Sequence, residues 1–112
     1  MTVRADARVE HARFDALDPA LDALKARVTA LADDAERRPP QTPLKRYSPA
    51  DQVVARVELA GPERRLASRH AGIDVRGDGS SEPYVGRVRR KLLEAAPGED
   101  IFAALRRALG GD

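Results

Sequence analysis

Four basic side chains are concentrated in one short segment that contains no acidic residue. Arg87, Arg89, Arg90 and Lys91 all lie within residues 84–93, in a chain of 112 residues whose formal net charge is only +2. Guanidinium and ammonium groups bind phosphate and carboxylate oxygens, so the chemistry this segment suggests is anion binding. A local basic segment on a nearly neutral protein favours a defined anionic contact. The alternative is a solvated face of a strand or helix, an ordinary place for charged residues.

No other group of residues has a spacing that indicates catalysis or metal binding. His11 and His70 are 59 positions apart, whereas a zinc site needs three or four clustered ligands. We expect residues 33–36 to be a solvated acidic helix end, and Ser80 and Ser81 to bond within a turn. Cysteine is absent, which excludes disulfides, thiolate catalysis and cysteine–metal sites. The sequence therefore predicts no catalytic residue, no metal and no cofactor.

The composition predicts one domain over residues 1–112, with a proline-rich connector at 39–51. There is no run of 18 apolar residues that could span a membrane. The first residues contain no apolar stretch of the kind found in secretory signals. We expect a cytoplasmic protein that does not enter membranes.

The first half of the chain predicts a strand followed by one amphipathic helix. Alternation of apolar and polar residues predicts the strand over Thr2–Glu10. Asp18 is expected to cap a helix over residues 18–38, with Pro19 at the first helical position. A coiled coil with another chain is the alternative, but this helix is too short for one, which favours packing on the chain's own sheet. The apolar face of the helix consists of Leu21, Leu24, Val28 and Leu31.

The second half predicts three strands and a short helix. Gln52–Ala60 and Leu66–Arg76 alternate, and Asp78-Gly79 predicts a hairpin with a type I′ turn. Tyr84–Leu93 is the third strand. A helix over Tyr84–Ala96 is the alternative, which Gly86 and the preceding hairpin disfavour. The last helix follows the acidic pair Glu99-Asp100, and its apolar residues are Ile101, Leu105, Ala108 and Leu109.

These elements predict an α+β fold of order βαβββα, with two helices packed on one face of a four-stranded sheet. If residues 84–93 form one strand, Arg87, Arg89 and Lys91 project from one face at intervals of about 6.6 Å. That interval is close to the separation of neighbouring phosphates along an RNA strand. Of the few aromatic residues, only Tyr84 is placed to stack on a base, so RNA contacts would be to phosphate and shape. The predicted core consists of Leu21, Leu24, Val28, Val57, Leu59, Ile73, Ile101 and Leu105.

Three passages resemble the family of ribosome hibernation-promoting factors and ribosome-associated inhibitors, in its small βαβββα form. Leu17–Leu24 resembles the strand-to-helix connection of that family, in which a small polar residue precedes Pro-Ala-Leu. Val54–Leu59 is similar to its alternating central strand. Glu99–Leu105 is similar to the acidic, aromatic and alanine-rich beginning of its second helix.

The resemblance implies a non-enzymatic, stress-response factor that binds the small ribosomal subunit and limits translation. Its basic side chains would contact 16S rRNA and block the path of mRNA and tRNA. The alternative function is a protein–protein interaction or assembly module, including a homodimer, that uses the 18–38 helix or a sheet edge and binds no nucleic acid. The residues that the first hypothesis assigns to rRNA binding are Arg87, Arg89, Arg90, Lys91, Arg106, Arg107, Lys25 and Arg27.

Overall fold

The computed structural model of this chain describes residues 1–37, 52–60, 70–86 and 90–110. It is an α+β fold, as the sequence predicts. The connector at 39–51, the Gly61-Pro62 break, the beginning of the strand predicted from Leu66, and the two cations Arg87 and Arg89 lie outside the described residues. In chain order the elements are β1 (Thr2–Ala5), β2 (Arg8–His11), α1 (Leu17–Arg37), β3 (Val53–Ala60), β4 (His70–Arg76), β5 (Ser81–Val85), β6 (Lys91–Leu92) and α2 (Ile101–Gly110).

The described strands form a six-stranded antiparallel sheet in the order β2-β1-β3-β4-β5-β6. The predicted four-stranded sheet is therefore wrong in its strand count. The reason is that two segments predicted as single strands each fold back on themselves as a hairpin. The predicted pairing of the 84–93 region with the strand ending at Arg76 is confirmed, because β5 pairs with β4.

The predicted strand Thr2–Glu10 is the first of these hairpins. Ala5 pairs directly with Arg8, so only Asp6 and Ala7 form the turn. Asp6 has a φ of 56°, a left-handed conformation that Asp tolerates better than most residues. The two-residue turn changes which residues face the core, so Val9 lies on the opposite side of the sheet from Val3.

The predicted strand Tyr84–Leu93 is the second hairpin. β5 begins at Ser81 and ends at Val85, and β6 returns beside it, with Lys91 opposite Val85. Gly86 follows β5 with a φ of 98°, which L-residues with side chains rarely adopt. The alternative of a continuous helix over 84–96 is also wrong, because residues of both strands fall within it.

A hairpin joins β4 to β5, as Asp78-Gly79 predicts, but its turn is not type I′. Only Gly79, at 87°, has a positive φ in this turn, whereas type I′ requires two such residues. The carbonyl of Arg76 accepts a bond from the N–H of Gly79. The carboxylate of Asp78 accepts bonds from the N–H and the hydroxyl of Ser80, which confirms the turn role of that serine.

Helix α1 begins at Leu17, one residue before the predicted N-cap. The carbonyl of Ala16 accepts a bond from the N–H of Ala20, so Asp18 is already inside the first turn and its predicted capping role is wrong. Pro19, predicted at the first helical position, is instead the third residue of α1. It is still in the first turn, where its missing N–H removes no helical bond.

Both helices cover the same face of the sheet. Val3, Val57 and Ile73 stand in register on three neighbouring strands, and Leu24 and Leu105 pack into the same cluster. All five are at most 3% exposed. The Leu24/Val28 face of α1 is buried against the chain's own sheet, so the coiled-coil alternative is wrong. That face of the helix is therefore not a docking surface. The core prediction holds for Leu21, Leu24, Val28, Val57, Leu59, Ile73 and Leu105, while Ile101 is only half-buried at its edge.

No helix in the described part of the chain is long and apolar enough to cross a membrane.

Candidate nucleic-acid interface

The face of the sheet away from the helices is polar. Strand alternation and register place Arg56 of β3 beside Arg4 of β1 and Asp74 of β4 on this face. The next row along the strands contains Glu58, opposite Gly72, which is in turn opposite Tyr84. We call this surface the open face.

Cross-strand ion pairs neutralise most of the open face. Arg56 bonds both carboxylate oxygens of Asp74, at 2.5 and 3.2 Å, and this bonding raises the pKa of the guanidinium. Arg76 lies 2.6 Å from Glu82. Glu58 is approached by the imidazole of His70 at 3.0 Å and more loosely by Arg4 at 3.7 Å. The centre of this face therefore does not present a positive surface to RNA.

Tyr84 is buried on the open face. Its ring lies across Gly72, where an added Cβ would stand 2.6 Å from the Tyr84 hydroxyl. The guanidinium groups of Arg56 and Arg90 lie over the ring, 5.5 and 5.4 Å from its centroid. The side chain is left 2% exposed, and its hydroxyl has no hydrogen-bond partner within the described residues. Desolvation, then the nearby charge of Glu58, raises the pKa of this hydroxyl. In this arrangement the ring is not accessible for stacking on a base.

Arg90 and Lys91 are exposed at the β5–β6 hairpin, which forms one edge of the described sheet. Neither forms an ion pair with an acid within the described residues. Arg90 covers Tyr84 on the open face, whereas Lys91 is opposite Val85, on the side of the sheet that faces the helices. The condition for the predicted basic stripe, a single strand over residues 84–93, is not met, because β5 and β6 are separate antiparallel strands. Arg87 and Arg89 of that stripe lie outside the described residues.

The two predicted cations of α2 are bound to carboxylates of the same chain. Arg106 pairs with Asp18 of α1 and lowers the pKa of that carboxyl. Arg107 lies 2.9 Å from Glu99, whose pKa it lowers, and also donates to the carbonyl of Glu94. These pairs connect α2 to the start of α1 and to the segment after β6.

The two predicted cations of α1 also have partners within the chain. Lys25 lies over the ring of Phe102, with its ammonium 5.5 Å from the centroid. Arg27 donates to Glu10 of β2 at 2.5 Å, which connects α1 to the first hairpin. The six of the eight predicted cations that the structure describes thus do not converge on one surface. Arg90, Lys91 and Lys25 are the exposed ones without a carboxylate partner within the described residues, and of these only Arg90 and Lys91 are neighbours.

Both histidines lie on strands of the sheet and contact hydrogen-bonding groups of neighbouring segments of the chain. His70 also has its Nδ1 3.3 Å from the carbonyl of Gly86, and Nδ1 of His11 lies 3.2 Å from the hydroxyl of Thr2. Within the described residues, no group of three or more His, Cys, Asp or Glu side chains is placed to hold a metal ion.

Sequence reasoning missed Arg56 and Gly72, which together with Arg90 hold Tyr84 in place. A glycine inside an alternating strand often marks a close approach by another group, so Gly72 did carry a signal. The identity of that group depends on strand register, which the sequence does not specify here.

Comparison with protein-family models, with curated proteins and with solved structures gives no match to this chain.

Proposed function

We propose that this protein is a non-enzymatic, cytoplasmic factor that binds small-subunit rRNA through its β5–β6 hairpin and thereby limits translation. The observation that supports this proposal is the exposure of Arg90 and Lys91 on a hairpin edge, without a carboxylate partner in the described structure. Residues 84–93, which contain both, include four cations and no acid. The choice of small-subunit rRNA rests on the family resemblance of the sequence.

Unpaired cations are favoured over paired ones for phosphate binding. An arginine that already bonds a carboxylate must lose or share that contact when it binds a phosphate, and it brings the negative charge of its partner close to the RNA. This applies to Arg106, Arg107 and Arg27. Lys91 has no such cost, and the contact of Arg90 with Tyr84 involves no negative charge. We therefore assign the principal phosphate contacts to the hairpin, where two such cations are neighbours. We assign a minor role to α2 and to α1, in which Lys25 is the one predicted cation without a carboxylate partner within the described residues.

The hairpin geometry also changes the expected mode of binding. Arg90 and Lys91 lie on opposite sides of the sheet edge. An edge with cations on both sides fits between two phosphate backbones, as in a groove of folded RNA. A single extended RNA strand would contact only one side. This mode reads shape and charge rather than base sequence.

Affinity capture from a lysate tests the class of partner directly. The tagged protein should retain small-subunit rRNA, and nuclease treatment should release the associated ribosomal proteins with it. Changing Lys91 and Arg90 to Ser should reduce the retained rRNA. Changing Arg13 and Arg37, two exposed cations away from the hairpin, to Ser is the control for net charge and should have little effect. Capture of proteins that resists nuclease, with no rRNA, would contradict the proposal.

The assembly alternative has support from a separate observation. The α1 face is buried, but β2 leaves the other edge of the described sheet exposed.

A further inference from the structure

Strand β2 is an edge strand with its outer side unpaired in the described structure. It pairs with β1 on one side only, and all four of its residues, Arg8–His11, are exposed. Val9 is 48% exposed. Such an edge presents N–H and C=O groups that can pair with another strand.

The ladder with β1 determines which of these backbone groups are free. The N–H of Ala12 donates to the carbonyl of Met1, so Ala12 and Met1 are a hydrogen-bonded pair. In an antiparallel ladder bonded and non-bonded pairs alternate, so Glu10 and Arg8 also direct their N–H and C=O groups toward β1. The backbone groups of Val9 and His11 therefore point outward from the sheet edge.

A second copy of the same strand can pair there antiparallel in only a few registers, because outward-facing residues must meet outward-facing residues. The register centred on Val9 places Val9 opposite Val9 of the second copy, with Arg8 opposite Glu10 at two symmetric positions. Registers centred on Arg8 or on Glu10 place like charges directly opposite each other, which is destabilising. Of the registers centred on Arg8, Val9 or Glu10, only the one centred on Val9 places unlike charges opposite each other.

The existing contact of Glu10 is compatible with this register. Arg27 bonds Oε2 of Glu10, which leaves Oε1 for the guanidinium of Arg8 from a second copy. The interface is also remote from the proposed RNA contact, since β2 and β6 are at opposite ends of the strand order. It therefore goes beyond the proposed function and is independent of it.

We propose that two copies of this chain associate through β2, in the antiparallel register centred on Val9, and join their sheets into one continuous sheet. The association is symmetric, as in most homodimers. A four-residue edge is small compared with a standard protein interface, so the dimer forms in a concentration-dependent manner. It leaves the two β5–β6 hairpins free at the outer ends of the joined sheet, roughly 50 Å apart at the usual strand spacing.

A proline substitution tests the use of the edge. Val9→Pro removes only the outward-facing N–H of Val9 and keeps the bonds to β1, so it should abolish dimerisation measured by sedimentation velocity over a concentration series. Val9→Thr has nearly the same shape and keeps the N–H, and it should still dimerise. Thermal unfolding checks that both variants are folded. A wild-type chain that remains monomeric at the highest concentration reached would overturn the proposal, as would a dimer that survives in folded Val9→Pro.

A charge exchange tests the register and does not depend on the proline variant. Arg8→Glu alone and Glu10→Lys alone each place like charges opposite each other in a homodimer, so each variant should be monomeric. When the two are mixed, position 8 of one copy opposes position 10 of the other with complementary charges at both sites. The mixture should therefore form a heterodimer. A mixture that remains monomeric while the wild type dimerises, or single variants that dimerise as the wild type does, would overturn the register.

Discussion

Tyr84 is a large aromatic side chain held on the polar side of a sheet. Gly72 provides the space for its ring, and Arg56 and Arg90 cover it. Its hydroxyl is buried without a hydrogen-bond partner in the described structure, which is an energetic cost rather than a gain. The contribution of this residue to stability must therefore come from the ring.

Removing that hydroxyl should change the pH dependence of stability. Burial raises the pKa of Tyr84 above the ordinary value of 10.0, so the unfolded chain loses this proton first as pH rises. Ionisation of Tyr84 therefore does not lower the stability of the fold below pH 10, and lowers it increasingly as pH rises above that value. Tyr84→Phe should be at least as stable as the wild type at pH 7 and lose less stability by pH 11. Denaturant unfolding of both proteins at both pH values measures this. Equal losses in wild type and Tyr84→Phe would show that the hydroxyl is not buried.

The space at Gly72 should not tolerate a methyl group. A Cβ there would stand 2.7 Å from the carbonyl oxygen of Val57 as well as against Tyr84. Gly72→Ala should destabilise the protein by about 1–3 kcal/mol or more, the range found for overpacking. At Gly98 nothing lies within 4 Å, so Gly98→Ala tests backbone strain alone, at roughly 1–2 kcal/mol. If Gly72→Ala is as stable as wild type in denaturant unfolding, the ring does not lie across the glycine.

At the level of elements, the sequence predicted both helices, and β3 and β4 in part, because their apolar periodicity is unambiguous. It missed both terminal hairpins of the sheet. The alternation of Val3, Ala5, Ala7 and Val9 continues across a turn of only two residues, so period-two patterning conceals it. Asp6 adopts a left-handed conformation in this turn. The only indication of the turn in the sequence is the preference of Asp for such positions. Gly86 indicates the second turn, because a glycine there disfavours a helix and also favours a turn.

The packing of α1 on the sheet yields a stability prediction. Leu24 is 0% exposed among side chains of both helices and the sheet, whereas Leu92 of β6 is 65% exposed. Leu24→Ala should destabilise by about 2–5 kcal/mol because it removes buried contacts and leaves a cavity. Leu92→Ala, the same chemical change at an exposed site, should alter the unfolding free energy by less than about 0.5 kcal/mol. Similar effects of the two substitutions would show that α1 does not pack as described.

At the level of the whole molecule, the α+β class followed from the sequence but the charge arrangement did not. Arg106 and Asp18 are 88 positions apart, and no local pattern indicates that they form a pair. The same is true of Arg27 with Glu10, and of Arg56 with Asp74. Because of these partners, the principal rRNA contacts are reduced from the eight predicted cations to those of the β5–β6 hairpin. This reduction is a consequence of tertiary contacts, which periodicity and composition do not specify.

Co-sedimentation with the small ribosomal subunit across a salt series tests the central claim most directly. Each phosphate contact contributes about −0.7 to −0.9 to the log–log slope of affinity against salt. Changing Arg87, Arg89 and Lys91 together to Ser should flatten the slope by about two to three units, with thermal unfolding as the check that the variant is folded. Changing Arg8, Arg13 and Arg37 together to Ser matches the change in net charge and should leave the slope nearly unaltered, at protein concentrations low enough to avoid dimerisation. Binding by the first variant that equals wild type at every salt concentration would contradict rRNA binding through the β5–β6 hairpin.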